Sequence, residues 1–248
     1  MKGKVKRRVI AWVLSFALVM GTVLGGPGLF MKAHAADAGV LYIIDSIGGT
    51  PESVTEDCTD SAGGWSYDAG TATLTLDGFQ GEYIEANGDI NIVLKGKNKI
   101  TISAESTEGI KSTGKVTIDD TISPVQDCLD IYCNDGTESV SMIYTGGFGA
   151  DYATYIVGGT VNLVEENTRR RYVTGISRWA YVENDASLNI NLSADGGRNG
   201  AAALLNLNTS GDTSFRVNSL SSSSYGVYSL DKKGSGDTAL TAEGKAKN

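Results

Sequence analysis

Histidine is almost missing from this chain of 248 residues: the only one is His34. It falls in a segment that reads as an export signal, so the mature protein has none. That excludes a Ser-His-Asp triad, a histidine metal site and a histidine proton shuttle. Proline is nearly as scarce, with only Pro51 and Pro124 beyond Pro27. Each proline deletes a backbone donor, so its rarity suits long hydrogen-bonded ladders. No stretch after the signal keeps a sustained helical spacing of apolar residues, which argues against helical architecture. Cysteine is limited to Cys58, Cys128 and Cys133, an odd number for an exported protein. Cys128 and Cys133 on one strand would face opposite sides and could not pair with each other. A bridge from Cys58 to one of them stays open, but buried or unpaired thiols are the preferred reading.

The N-terminal segment 1–35 carries the export signal. Lys2, Lys4, Lys6, Arg7 and Arg8 open it, an apolar run follows from Val9 to Leu24, and Ala33-His34-Ala35 offers small residues for cleavage. Gly25-Gly26-Pro27-Gly28 breaks the run at that point. A spanning helix needs ~20 apolar residues, more than Val9 to Leu24 supplies, so a retained membrane anchor is the weaker reading. The long basic leader resembles that of a Gram-positive bacterium. Cleavage would remove six of the 21 basic residues and none of the 29 acidic ones, leaving a net charge of −14 on the mature chain. Such a surface repels phosphate backbones and anionic membranes, so neither nucleic acid nor membrane is an expected partner.

What the chain does have is repetition. Tyr83-Ile84-Glu85-Ala86-Asn87-Gly88-Asp89-Ile90-Asn91-Ile92 returns as Gly109 to Ile118, as Tyr155 to Leu163 and as Tyr181 to Ile190. Ile84, Ile110, Ile131, Ile156, Val182, Leu205 and Val227 are taken as equivalent positions. Their spacing is uneven but stays within the repeat lengths typical of solenoids. Ile90, Ile92 and Leu94 alternate with polar neighbours, as do Leu188, Ile190 and Leu192. One such unit cannot bury its apolar row alone, whereas stacked units bury a continuous column. Asn87-Gly88 and Asp135-Gly136 supply corners that tolerate positive φ. The expectation is an all-β, right-handed parallel β-helix spanning 81–248. Residues 36–80 would be an N-terminal leading and capping segment, with Leu41–Ile44 and Ala72–Leu76 as strands and Thr50–Gly64 as an acidic loop. An antiparallel sandwich is the competing architecture. Thr238–Ala242 looks like the start of another repeat, so the stack either ends behind Lys245 and Lys247 or belongs to a longer protein.

Some of these residues resemble a module common in secreted proteins of clostridia and related bacteria. The resemblance rests on Leu41-Tyr42-Ile43, on Trp65 to Asp77, and on Ala86-Asn87-Gly88-Asp89-Ile90 through Gly96, Asn98 and Ile100. It covers about residues 41–118 and becomes loose afterwards. Members of that family look like right-handed parallel β-helices and are often described as carbohydrate-binding domains. The resemblance implies that fold and a sugar ligand, but assigns no sugar-binding residue.

Candidate chemistry is sparse. Asp119, Asp120, Asp127, Asp130 and Asp135 cluster in sequence, and two carboxylates can serve as acid and base on a glycosidic bond. Adjacent strand residues point to opposite faces, so Asp119 and Asp120 make a poor pair, and solvated corners explain the acids better. A lyase would need a placed base such as Arg178 or Arg198, which nothing in the spacing singles out. Gly146 to Ala153 matches part of the calcium-binding nonapeptide, but calcium sits between tandem copies and only one is present. No metal or cofactor is expected. Aromatics gather at Tyr144, Phe148, Tyr152 and Tyr155, and one repeat later at Tyr172, Trp179 and Tyr181. Aromatic faces can stack on the C–H face of a sugar while Asp151 or similar groups fix its hydroxyls. Arg170, in the run Arg169-Arg170-Arg171, could meet an anionic glycan. The expected function is a secreted or cell-surface, non-enzymatic binder of cell-wall or host carbohydrate through Tyr144, Phe148, Asp151, Tyr152, Tyr172, Trp179 and Arg170. A polysaccharide lyase or glycoside hydrolase, and a structural adhesin stalk, are the alternatives. The sequence leaves the oligomeric state open.

Overall fold

Strands that alternate apolar with polar residues must have their apolar rows covered by other strands. The computed structural model describes residues 40–46, 48–104, 106–120, 127–134, 136, 139–147, 149–166, 172–194, 198–219 and 225–244. The leading segment supplies β1 (Leu41–Ile44), β2 (Glu52–Val54), β3 (Cys58–Asp60), β4 (Trp65–Asp68) and β5 (Thr73–Asp77), followed by the short β6 (Gln80–Gly81). A set of three strands then recurs. The sets are β7 (Tyr83–Ala86), β8 (Ile90–Lys95) and β9 (Lys97–Ile102); β10 (Glu108–Ser112), β11 (Val116–Asp120) and β12 (Cys128–Cys133); and β13 (Val140–Thr145), β14 (Thr154–Ile156) and β15 (Thr160–Glu166). Beyond these, one long strand replaces the first two of each set. β16 (Tyr172–Asn184) precedes β17 (Ser187–Ala194), β18 (Arg198–Thr209) precedes β19 (Thr213–Ser219), and β20 (Tyr225–Lys232) precedes β21 (Thr238–Gly244). A single 3-10 turn, Ala150–Tyr152, is the only helical element among the described residues. No helix among them is long and apolar enough to cross a membrane. The protein is all-β.

Three parallel ladders organise these strands. The first aligns Ile84, Ile110, Ile143, Ile176, Ala202 and Val227. The second aligns Leu74, Ile92, Ile118, Ile156, Val182, Leu207 and Lys232. Both lie in one 14-stranded sheet, while a 7-stranded sheet holds the third. That ladder aligns Gly81, Ile100, Ile131, Leu163, Ile190, Phe215 and Leu240. Most aligned apolar side chains are fully buried, from Leu74 and Ile84 to Leu207 and Phe215. Each contributes about 1.5–3 kcal/mol, and each depends on the rows on either side of it.

The register expected from sequence needs correction. Ile84, Ile110 and Val227 do share a ladder, but Ile131 belongs to the third one. Ile156 and Val182 belong to the second, as does Leu205, which pairs with Ala180. The first ladder steps from Ile84 to Ile110 and then takes longer strides along the chain, to Ile143 and to Ile176. All three ladders carry the same alternation, so the apolar pattern cannot distinguish one strand of a set from the next.

The N-terminal edge is covered. β1 lies antiparallel on β7 and β2 on β1, while β4 lies antiparallel on β5 and β3 on β4. Thr50–Gly64 is therefore not simply a loop: β2 and β3 arise within it, and Val54 is buried as an anchor. At the far end Leu230 and Leu240 stay 36% and 40% exposed, because no later strand among the described residues covers them. The predicted Asn87-Gly88 corner is present, with Gly88 at φ +107°, and a further positive-φ corner that was not predicted falls at Asn184, φ +55°. All three cysteines are free, and Cys128 and Cys133 alternate along β12 with only Cys133 buried. Residues 1–35, Asp135, Arg169–Arg171, Lys245 and Lys247 lie outside the described residues.

Candidate functional site

On the outer side of the second ladder, alternation turns Thr73, Asn91, Thr117, Tyr155, Tyr181, Asn206 and Asp231 outward in one continuous row. Tyr155 and Tyr181 stand on neighbouring parallel strands. Their rings stack with centroids 4.6 Å apart and planes 6° from parallel. Strand spacing sets that separation, since side chains at paired positions repeat every ~4.8 Å. The Tyr155 hydroxyl donates to the Ala150 carbonyl at 3.4 Å, which ties the pair to the turn before it. Burial pushes the Tyr155 phenol above its ordinary pKa and so disfavours its ionisation, and Tyr181, Glu183 and Asp151 act in the same direction. The Lys115 ammonium lies 5.8 Å from the Tyr155 ring centre, within cation–π range.

The other residues expected from sequence fall at several places. Asp151 and Tyr152 form the exposed 3-10 turn beside Tyr155, and the Tyr152 ring covers Gly147. A Cβ at Gly147 would collide with that ring. Tyr144 faces outward on the first ladder, at the position paired with Lys111, and Lys111 forms an ion pair with Glu85 at 2.8 Å. Tyr172 begins β16, and Trp179 sits where the register shifts between Ile176 and Trp179, at the bend between the two ladders. The structure thus brings Asp151 and Tyr152 to the Tyr155–Tyr181 pair, with Trp179 two residues before Tyr181 on the same outward face of β16, and places Tyr144 and Tyr172 elsewhere on the same sheet. Phe148 and Arg170 lie outside the described residues. Among those described, no group of three or more His, Cys, Asp or Glu side chains could hold a metal ion.

The carboxylates behave differently from expectation. Asp119 and Asp120 end β11, and there their side chains converge: a Cβ added to Gly158 would lie 2.5 Å from Oδ1 of each. Opposite-face geometry fails at this point because the strand is ending. Asp120 also donates its backbone N–H to Asp119 Oδ1 at 2.9 Å. Burial raises the Asp120 carboxyl above its ordinary value, and Asp119, Asp185 and Asp127 push it in the same direction. Asp127 has a structural task, with Oδ1 accepting the Gly96 N–H at 2.6 Å.

Sequence reasoning missed an open trough of about 460 Å³ on the outer face of β3, β4 and β5. Its walls include Asp57, Thr59, Ser66, Asp68, Thr73 and Thr75. Thr59, Ser66 and Thr75 are paired across the three strands. The Thr-x-Thr alternation at Thr73 and Thr75 was the available signal, but it marks any solvent-facing strand and does not by itself show a concavity.

No family model, curated protein or solved structure is matched by the chain.

Its chemistry must therefore be read from the surface itself. Phenol rings, amides and hydroxyls in one outward row of a parallel ladder can offer apolar contact and hydrogen bonds together. Two converging carboxylates, one held toward its protonated form, could exchange protons with a bound group.

Proposed function

We propose that this is an exported, single-domain, right-handed parallel β-helix that acts as a non-enzymatic carbohydrate-binding protein at a cell wall or host surface. The Tyr155–Tyr181 stack carries the reading. Its rings stack in the direction that separates the strands, so a sugar can pack its C–H face against the outer face of Tyr181. Asn206 at the adjoining paired position, and Glu183 two residues along the strand, are the polar groups that meet its hydroxyls. Asp151 and Tyr152 border the other side. The parallel ladders and the resemblance to secreted carbohydrate-binding modules support the same reading. A mature chain without histidine favours binding over catalysis. Binding on a glycan array, followed by Tyr181→Ala and Tyr152→Ala, tests it. Retention falls for both variants if the reading holds, and absence of binding to every glycan refutes it.

The convergence of Asp119 and Asp120 favours one second reading, hydrolysis of a glycosidic bond. Incubation with pectin, alginate and wall glycans separates the two, because only an enzyme generates new reducing ends. Asp120→Asn would abolish them.

A further inference from the structure

The row of outward side chains that contains Tyr155 and Tyr181 begins in the trough. Thr73 lines that trough and pairs in turn with Asn91, then Thr117, Tyr155 and Tyr181. Four strand spacings separate Thr73 from Tyr181, about 19 Å at ~4.8 Å each. The trough lies within the size range of ligand sites but is lined mainly by hydroxyls and carboxylates. Among the described residues the hydroxyls of Thr59, Ser66 and Thr75 make no hydrogen bond to protein. Asp57 Oδ1 accepts the Ala69 N–H at 2.9 Å and Asp68 Oδ1 accepts the Thr71 N–H at 3.2 Å, so each carboxylate keeps Oδ2 for another partner.

We propose that this trough is a second sugar subsite, and that one linear, neutral polysaccharide runs along the outward row from the trough to the Tyr155–Tyr181 pair. The inference rests on the carbohydrate reading above and adds the polymer's direction, length and charge class. Direction follows from the sheet: the row crosses successive strands as hydroxyl, amide and hydroxyl (Thr73, Asn91, Thr117) and then two phenol rings (Tyr155, Tyr181), and a pyranose ring in an extended chain advances by about one strand spacing. Charge follows from Asp57 and Asp68 in the trough and Asp119 beside the row, which outnumber the Lys115 ammonium over the Tyr155 ring and repel uronates and sulfates. Hydroxyl donors and carboxylate acceptors match neutral sugar hydroxyls in both roles. A short oligosaccharide can occupy one subsite only. A chain that reaches both gains affinity through effective concentration without any new kind of contact.

The test is calorimetric titration with cello-, manno- and chito-oligosaccharides from disaccharide to octasaccharide, with oligogalacturonates as the anionic arm. Affinity for a neutral series should rise by about tenfold or more once the chain is long enough to span the row. In Ser66→Ala/Thr75→Val that rise should vanish, while the disaccharide still binds and Tyr181→Ala removes it. Far-UV circular dichroism and the unfolding midpoint verify that both variants fold. Three results overturn the proposal but leave the tyrosine platform standing: neutral sugars that bind with no length dependence, a trough variant that keeps the full rise, or tighter binding of oligogalacturonates. If no oligosaccharide of any length binds the folded parent protein, the carbohydrate reading itself fails.

Discussion

Asn98 and Phe79 are joined through the interior: the Phe79 backbone N–H donates to Asn98 Oδ1 at 3.0 Å. The same amide donates through Nδ2 to the carbonyls of Cys128 at 3.2 Å, Lys95 at 3.3 Å and Gly96 at 3.4 Å. Asn98 is 1% exposed. One side chain thus satisfies backbone groups from β8, the turn after it, β12 and the segment before β6, linking three neighbouring strands of the third ladder at one corner.

Asn98→Ala leaves a buried N–H and three carbonyls without that partner. Urea unfolding should show a loss of about 2–3 kcal/mol, the usual cost when buried polar groups are orphaned. Asn98→Asp keeps the acceptor for Phe79 but replaces the donors with a carboxylate, so it should be destabilised as well. If Asn98→Ala unfolds at the parent midpoint, the corner amide has no such role.

Much of the fold was legible because alternation is a local signal. Ile90, Ile92 and Leu94 point inward as their spacing predicts, and Leu188, Ile190 and Leu192 do the same. Which strand pairs with which was not legible, because Ile131 and Ile143 satisfy the same pattern on different ladders and only loop lengths tell them apart. Glu165 shows the limit of patterning: it takes an inward place on the third ladder, paired with Cys133 and Leu192, and is fully buried. The Tyr155–Tyr181 stack was half visible, since both residues precede an apolar residue at the same point of the repeat. The trough depends on the pairing of three antiparallel strands, β3, β4 and β5, and composition does not encode that pairing.

Thr209 offers a second corner to test. It is buried, and its Oγ1 donates to the Ala186 carbonyl at 2.7 Å while accepting the Gly211 N–H at 2.9 Å. Ser112 repeats the device, donating to the Gly88 carbonyl at 2.6 Å and accepting the Gly114 N–H at 3.0 Å. In both, a hydroxyl links one level to the level before it and fastens its own turn. Thr209→Val preserves shape and loses these bonds, together with the longer one to the Asn184 carbonyl at 3.2 Å, so it should cost about 1–3 kcal/mol in urea unfolding. Thr209→Ser should restore most of the difference. Equal midpoints for Val and Ser would mean that shape alone matters there.

Asp120 gives stability a pH dependence of definite sign. Its carboxyl lies above the ordinary value of 3.8, chiefly through burial and then through Asp119, Asp185 and Asp127. Between 3.8 and the raised folded value, the folded chain therefore holds the proton that the unfolded chain has released. Unfolding free energy falls as pH rises through that window. Ionised Asp120 is thus a burden at neutral pH, and protonation relieves it. Asp120→Asn removes the charge while keeping the shape, so the variant should melt higher than the parent at neutral pH. The two should converge once the pH drops below the ordinary carboxylate range. Melting curves from about pH 3 to about pH 8 would follow both limbs. A variant that is less stable than the parent at neutral pH would show that the Asp120 carboxylate is favourably engaged rather than crowded by its acidic neighbours.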